Sequence, residues 1–323
     1  MKHVIALDVG GTAIKAALVA PDHTLLYETR RPTERAKGPE AVVAGILALA
    51  ADLREHGRRA YGEPAAAAGI AVPGIVDTAT GTAVYAANLG WRDLPLRDRL
   101  GDHLAGTPVA LGHDVRAGGL AEGRVGAGRG ADRFLFVPLG TGIAGAIGID
   151  GRIEAGAHGY AGEIGHIAVR RGAEPDALDC GCGGRGCLET IASASAVSRA
   201  WAEASGDPAA DAAGCAKAVA SGDPRAGKVW RHAVDALADG LVTALTLLDP
   251  RVLIIGGGLA EAGDTLFTPL RAAVAERVTF QKLPRIVPAA LGDTAGCLGA
   301  GLLAWDLLAT HETHDTETME VSA

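Results

Sequence analysis

Apolar residues near the start of the chain form two short runs separated by a glycine turn. The first run covers residues 3–8, the turn is Gly10-Gly11-Thr12, and the second run covers residues 14–19. Two strands joined in this way predict a β-hairpin. The alternative, a P-loop, would lead into a helix and carry Gly-Lys-Ser/Thr, and this segment does neither. Consecutive backbone N–H groups of such a turn can bind phosphate, with Thr12 as a further donor and Asp8 placed to hold Mg²⁺. An ordinary tight turn has the same composition, so both interpretations stay open.

A second unit of this kind lies in the middle of the chain. Residues 134–138 precede Gly140-Thr141-Gly142, and a further apolar run, 146–149, leads through a turn into a short strand. The glycines satisfy the dinucleotide-binding pattern G-x-G-x-x-G, but no helix is predicted after them, so we interpret the unit as a second hairpin. Two such hairpins that face each other across a cleft are typical of the actin-like ATPase (ribonuclease H-like) fold.

The rest of the pattern alternates strands with helices and predicts a duplicated, two-lobe α/β protein. Strands are predicted at 25–31, 65–72, 108–111 and 252–255, and helices at 39–56, 94–104, 115–123, 193–204, 212–221, 224–248, 264–278 and 295–308. Residues 1–123 would form the smaller lobe, completed by a helix at 295–310, and residues 124–294 the larger lobe. The polar, acidic tail 311–323 is predicted to be disordered.

Composition restricts the classes of partner. The chain has 323 residues, enough for two lobes, and a net charge of −8 without a Lys/Arg cluster, so nucleic-acid partners are not expected. No charged and apolar leader opens the chain, and its most apolar run, 134–149, is shorter than the ~20 residues that span a bilayer. We therefore expect a cytoplasmic protein with no membrane partner.

One histidine and three cysteines have the spacing of a metal site, H-x13-C-x-C-x4-C. These four residues are His166, Cys180, Cys182 and Cys187. Their imidazole and thiolates suit a closed tetrahedral zinc site, and a redox or disulfide cluster is the alternative. Glu163 and Glu189 flank the four residues. A purely structural zinc loop does not need these two carboxylates. We therefore expect the zinc to support a polar pocket.

Asp114 follows the predicted strand at 108–111 and opens the predicted helix at 115–123. Aspartate at this position is a good helix N-cap. It also lies at the carboxyl end of a strand, where open α/β sheets bind ligands, so Asp114 is a candidate general base.

The segment 163–189 resembles the signature of the ROK family of sugar kinases and sugar-responsive repressors, Glu-x-Gly-His followed by Cys-x-Cys-Gly-x-x-Gly-Cys-x-Glu. The resemblance extends over about residues 4–308, with the elements in the family's order. It implies that the His and the three Cys bind a structural zinc. It also implies that Glu163, His166 and Glu189 contact the sugar.

The resemblance implies roles for residues outside this segment as well. Gly74 and Asn88 would line the sugar site, although Asn88 could instead only cap its loop. Relatives carry Asn-Asp where this chain has His113-Asp114, so Asp114 would be the catalytic base, and His113 is a departure that bears on the substrate. The residues implied to bind the nucleotide are Asp8, Gly10, Gly11, Thr12, Gly140, Thr141, Gly142 and, around the adenosine, Gly256, Gly257 and Gly258.

We therefore predict an ATP-dependent kinase, with Mg²⁺, that phosphorylates the 6-hydroxyl of a hexose, glucose being the first choice. N-acetylglucosamine or N-acetylmannosamine is the alternative substrate. Polyphosphate could replace ATP, since Gly-Gly-Thr-x-Ile-Lys15 is compatible with relatives that use it, but no basic groove is predicted.

Two other classes in the family are less favoured. The first strand begins at His3, which leaves no room for the winged-helix segment of a DNA-binding repressor. A non-catalytic sugar-binding protein remains an alternative, because fold does not determine function. We expect a homodimer or homotetramer.

Overall fold

The computed structural model describes residues 1–169 and 177–320, with side chains through residue 310. Its strands are β1 (Val4–Val9), β2 (Ala13–Val19), β3 (Leu25–Pro32), β4 (Ala68–Val72), β5 (Ile75–Asp77), β6 (Thr82–Ala86), β7 (Trp91–Leu94), β8 (Val109–His113), β9 (Arg133–Pro138), β10 (Ala146–Ile149), β11 (Arg152–Glu154), β12 (Val252–Gly256) and β13 (Arg285–Pro288). Its α-helices are α1 (Pro39–Tyr61), α2 (Leu96–His103), α3 (Asp114–Val125), α4 (Glu189–Ala192), α5 (Ala194–Ser205), α6 (Ala212–Ala220), α7 (Pro224–Leu248), α8 (Asp264–Arg277) and α9 (Ala295–Glu320).

The chain divides into two compact units. The first consists of Met1–Ala121 and Asp293–Ala323, and the second of Glu122–Gly292. The two boundaries predicted from the sequence each lie two residues further along the chain.

The first unit is built on a five-stranded sheet with the order β3-β2-β1-β4-β8. β1 and β2 form the predicted antiparallel hairpin, and β1, β4 and β8 run parallel. β4 is buried along its whole length, as expected of a parallel strand covered on both faces. Helix α9 packs on this strand so closely that a Cβ on Gly69 would be 1.8 Å from the carbonyl oxygen of Ala300.

The second unit repeats this arrangement in the order β11-β10-β9-β12-β13. β9 and β10 are antiparallel, whereas β9, β12 and β13 run parallel. The interpretation of residues 134–149 as a hairpin instead of a dinucleotide-binding turn is therefore confirmed. The helices α4–α8 bury an apolar core that includes Trp201, Trp230 and Leu237.

Several short elements were not predicted. β5, β6 and β7 form a separate three-stranded sheet, and β13 and α4 are also new. Each has between three and five residues. They were missed although strands of the same length, such as β10 and β12, were predicted from their apolar runs.

The last helix is longer than the sequence suggested. α9 continues to Glu320, beyond the predicted helix end at residue 308, and the disorder of the tail 311–323 stays a prediction, with 321–323 outside the described residues. After Gly301 the helix contains no Gly or Pro that would end it. No helix in the described ranges is long and apolar enough to cross a membrane.

Glu122, the first residue of the second unit, has a fully buried side chain. Its carboxylate accepts hydrogen bonds from the backbone N–H groups of Ala127 at 2.8 Å, Ala290 at 3.2 Å and Leu291 at 2.8 Å. It thereby ties the beginning of this unit to its end.

We expect Glu122→Ala to lower the free energy of unfolding by about 3–5 kcal/mol, because buried N–H groups left without an acceptor cost roughly 1–3 kcal/mol each. Glu122→Gln keeps one acceptor oxygen and should lose less. Urea denaturation of both variants measures the effect, with the exposed Glu276→Ala as a control that changes little. A loss in Glu122→Ala no larger than that of the control would contradict the assignment.

Candidate functional site

Asp8 lies at the end of β1, beside the first glycine turn, with 13 % of its side chain exposed. Lys15 is its partner in the hairpin register, and the Lys15 Nζ is 3.6 Å from Asp8 Oδ2 and 2.5 Å from Asp293 Oδ1. A Cβ on Gly296 would lie 2.6 Å from Asp8 Oδ2, so glycine is needed where α9 begins. The sequence analysis missed Asp293, but the hairpin register was a signal for the pairing of Lys15 with Asp8.

Burial raises the pKa of Asp8 to about 6. The positive charge of Lys15 lowers this pKa, and the negative charge of Asp114 raises it further. The two carboxylates therefore lie close enough to interact. A carboxyl pKa that is higher in the folded than in the unfolded chain means that ionisation destabilises the fold. Between 3.8 and about 6 this corresponds to roughly 3 kcal/mol.

We expect Asp8→Asn to raise the melting temperature at pH 7, because the amide removes the cost of burying a charge. The gain should shrink as the pH falls from about 6 to 3.8 and vanish below 3.8, where the wild-type carboxyl is neutral in both states. Thermal melts at pH 7, 5 and 4 measure this. Asp22→Asn is the control, because the backbone N–H of Thr24 lowers the pKa of Asp22, so no such gain is expected. A gain independent of pH would contradict the assignment to charge.

The first glycine turn is closed by a hydrogen bond from the Gly10 N–H to the Ala13 carbonyl at 3.0 Å. Asn88 lies beside it, since a Cβ on Gly11 would be 3.5 Å from Asn88 Nδ2. Gly74 has a φ of +91°, and a Cβ there would be 2.2 Å from the carbonyl oxygen of Tyr85. The turn conformation alone thus explains the glycine at 74, and contacts of Gly74 and Asn88 with a sugar stay predictions.

Asp114 begins α3 directly after His113, the last residue of β8. Its Oδ1 accepts the Val115 N–H at 2.7 Å and lies 3.4 Å from His113 Nε2. Burial raises the pKa of Asp114, although the Val115 N–H and the charge of Arg116 oppose the rise. Solvent still reaches 30 % of the side chain. The carboxylate can therefore hold the start of the helix and still accept a proton from a bound hydroxyl group.

The second glycine turn lies against the glycine loop 256–258. The Leu139 N–H donates to the Gly256 carbonyl at 2.8 Å, and a Cβ on Gly257 would be 2.6 Å from the Leu139 backbone. Because β9 and β12 are adjacent parallel strands, their carboxyl ends bring the two loops together. A Cβ on Gly142 would in turn lie 2.8 Å from Glu189 Oε2, so this turn also borders the predicted sugar-binding residues.

A cavity of about 440 Å³ adjoins Gly258. Alanines of α6 form much of its wall, Trp230 of α7 lies in it, and Lys217 and Glu261 add polar groups. A mostly apolar wall with a few polar groups is typical of a pocket for a flat organic ring. The glycines of this loop were predicted from the sequence, but the helical wall of the cavity was not.

Two further glycines place the segment that carries Glu163 and His166. A Cβ on Gly162 would lie 2.0 Å from the carbonyl oxygen of Gly145, and one on Gly165 equally close to that of Ile143. The segment therefore packs directly on the second hairpin. Gly165 was recognised from the sequence only as part of the signature Glu-x-Gly-His, and Gly162 was not recognised, although it directly precedes Glu163.

The four candidate metal ligands come together in the structure. One ligand atom from each of them lies within 4.8 Å of all the others, and these residues are His166, Cys180, Cys182 and Cys187. The Sγ atoms of Cys182 and Cys187 are 3.7 Å apart, and Cys180 Sγ is 3.7 Å from His166 Nδ1. A tetrahedral zinc with bonds of about 2.3 Å places its sulfurs about 3.8 Å apart. The residues therefore fit a zinc ion.

The three cysteines of the cluster are not in disulfide geometry in this structure. The three cysteines are free, and a disulfide requires its sulfurs at about 2.05 Å. Burial raises the pKa of the Cys180 thiol to about 12, so a metal ion would have to displace its proton.

His166 connects the cysteine cluster to the two glutamates. Its Nδ1 faces Cys180 and lies 3.6 Å from Glu189 Oε1, whereas Nε2 lies 3.9 Å from Glu163 Oε2. If Nδ1 binds a metal, Nε2 remains available on the side of Glu163. The predicted sugar contacts of the second unit thus form one group.

The chain is similar in sequence to proteins of known family. The model of the ROK family matches residues 4–306. The chain is 34% identical over 319 residues to a glucokinase of Halalkalibacterium halodurans, covering 93% of this chain and 94% of that protein. It is 32% identical over 309 residues to an N-acetylgalactosamine kinase of Shewanella sp., covering 93% of this chain and 96% of that protein.

Solved structures show the same similarity. A ROK hexokinase from Thermus thermophilus superposes with a TM-score of 0.82 at 32% identity, over 95% of this chain and 99% of that chain. A ROK family glucokinase from Streptomyces griseus, in complex with glucose and AMPPNP, gives 0.79 at 31% identity, over 94% and 99%. The predicted actin-like ATPase fold is confirmed.

Proposed function

The chain is a sugar kinase of the ROK family, and we propose that it transfers the γ-phosphoryl group of ATP to the 6-hydroxyl of a hexose, with glucose as its first substrate. The observation that carries this proposal is the position of Asp114. A carboxylate with a raised pKa at the carboxyl end of a parallel strand, still reached by solvent, has the properties of a general base.

The first unit supplies the groups that act on the sugar hydroxyl. Asp114 takes its proton while the oxygen attacks the phosphorus, and His113, Asn88 and Gly74 contact the sugar. Asp8 would hold Mg²⁺, which would supply positive charge beside the phosphates. Phosphoryl transfer depends mainly on positioning and charge stabilisation, and backbone amides with one base meet that need.

The second unit supplies nucleotide and sugar contacts. Residues 140–142 bind phosphate through backbone amides other than that of Gly140, which donates to the Gly142 carbonyl at 3.1 Å. The cavity beside Gly258 receives the adenosine, and the glycines 256–258 allow close approach of the backbone. His166 and the three cysteines would hold a structural zinc and so position Glu163 and Glu189 for the sugar. These four protein ligands would leave no coordination position for a substrate.

An N-acetylated hexosamine is the second candidate substrate, and a relative named N-acetylgalactosamine kinase supports it. The test is a panel of glucose, mannose, N-acetylglucosamine and N-acetylmannosamine, each assayed with ATP-Mg²⁺ and with polyphosphate. We expect the highest kcat/KM for glucose with ATP. A preference for an N-acetylated sugar would favour the second candidate, and no turnover with any of these sugars would contradict the proposal.

The effect of His113 on the substrate can be tested directly. Asparagine offers a donor and an acceptor from a small amide, whereas a neutral imidazole offers one of each from a larger ring. If His113 contacts the sugar, His113→Asn should change the ratios of kcat/KM among glucose, N-acetylglucosamine and N-acetylmannosamine by about tenfold, the value of one buried hydrogen bond. If His113 acts only through Asp114, 3.4 Å away, kcat should change by the same factor for all three sugars. Unchanged ratios and normal kcat would make it a packing residue.

A further inference from the structure

Thr33 is a buried hydroxyl residue that lies behind the first glycine turn. Its side chain is 1% exposed, and its Oγ1 donates to the carbonyl of Gly10 at 2.6 Å. Its backbone N–H donates to the carbonyl of Thr12 at 3.0 Å. One residue therefore holds two carbonyl groups of this turn.

These two bonds determine the direction of the neighbouring amides. In a planar trans peptide, the carbonyl and the N–H of the following residue point in opposite directions. When the carbonyls of Gly10 and Thr12 point at Thr33, the N–H groups of Gly11 and Ala13 must point away from it. A turn whose N–H groups share one side has the arrangement that binds an anion.

We propose that Thr33 is a positioning residue for the nucleotide phosphate, which holds the amides of the first glycine turn in their binding orientation before ATP arrives. The inference rests on the proposed function and on the expectation that the first glycine turn binds a phosphate of ATP. Donors that are already oriented need no reordering when the ligand binds, so their full interaction energy contributes to affinity.

Thr33→Val tests this directly, because valine keeps the shape and the backbone N–H bond but has no hydroxyl. Thr33→Ser is the matched control, because it keeps the hydroxyl and loses only a methyl group. Calorimetry measures the Kd of ATP-Mg²⁺ without sugar and the Kd of glucose without nucleotide. We expect the Kd of ATP-Mg²⁺ to rise about tenfold in Thr33→Val, the value of one buried hydrogen bond, and to stay within about twofold of wild type in Thr33→Ser. The Kd of glucose should not change in either.

Two results would overturn the proposal: unchanged ATP affinity in Thr33→Val, or equal losses of ATP and glucose affinity, which a merely structural residue would produce. If Thr33→Val does not fold, Thr33→Ala removes the hydroxyl without a new methyl group and has the same expected result. A wild type that binds ATP-Mg²⁺ but phosphorylates no sugar would contradict the proposed function. The inference about Thr33 would then still be decided by the Kd of ATP-Mg²⁺ and the Kd of glucose in the variants. A wild type that does not bind ATP-Mg²⁺ would contradict both.

Discussion

Asp114→Asn should lower kcat for glucose phosphorylation by about 10²–10⁴-fold and leave the Kd of glucose nearly unchanged, because only general-base catalysis is lost. Asparagine keeps an oxygen that can accept the Val115 N–H, so the start of α3 should persist. Rapid-quench kinetics and equilibrium binding of glucose measure the two effects. A near-wild-type kcat would contradict the assignment of Asp114 as the base.

The same carboxyl predicts a pH dependence. Because burial raises the pKa of Asp114 above 3.8, wild-type kcat should fall as the pH drops through this raised value, where the base becomes protonated. The ionised form also costs stability above that pH, so Asp114→Asn should melt at a higher temperature than wild type at pH 7. Asp264→Asn, at the first residue of α8, is the control and should keep normal kcat. A lower melting temperature with normal kcat in Asp114→Asn would identify Asp114 as a helix cap only.

Cys182→Ser should lose both the metal and the sugar affinity. Metal analysis of the wild type should find about one zinc per chain, and the serine variant should retain almost none, since a hydroxyl is a poor substitute for a thiolate. A zinc ion held by this cluster would position His166, whose Nδ1 lies 3.6 Å from Glu189 Oε1, so the Kd of glucose should rise about 10–100-fold when the ion is lost. Elemental analysis and equilibrium glucose binding measure the two losses.

Cys215→Ser is the matched control, because Cys215 is buried in α6 and does not belong to the metal cluster. It should keep its zinc and its glucose affinity. A metal-free wild type with full activity would contradict the zinc proposal. Loss of zinc from Cys182→Ser without any change in glucose affinity would contradict the link between the ion and the sugar.

Local patterns were sufficient for some parts of the site. The two hairpins could be predicted because strand, glycine turn and strand are adjacent in sequence, and the structure pairs Asp8 with Lys15 as an antiparallel register requires. The metal ligands could be predicted because Cys180, Cys182 and Cys187 share one short segment. Asp114 could be predicted because a strand end and a helix start meet at that residue.

Residues that act across long sequence separations were missed. Thr33 contacts Gly10, 23 residues earlier, and Glu122 binds the N–H of Leu291, 169 residues later. Lys15 reaches Asp293 over 278 residues. No local period or spacing connects such positions.

The amino-acid sequence by itself determined the fold class, the two glycine hairpins and the grouping of the cysteines, because each depends on neighbours along the chain. Only the tertiary structure decided which groups raise the pKa of Asp8 and which side chain bonds the carbonyls of the first glycine turn. Burial and hydrogen bonding depend on which distant segments pack together, and α9 shows the same dependence at its start, where Gly296 makes room for Asp8.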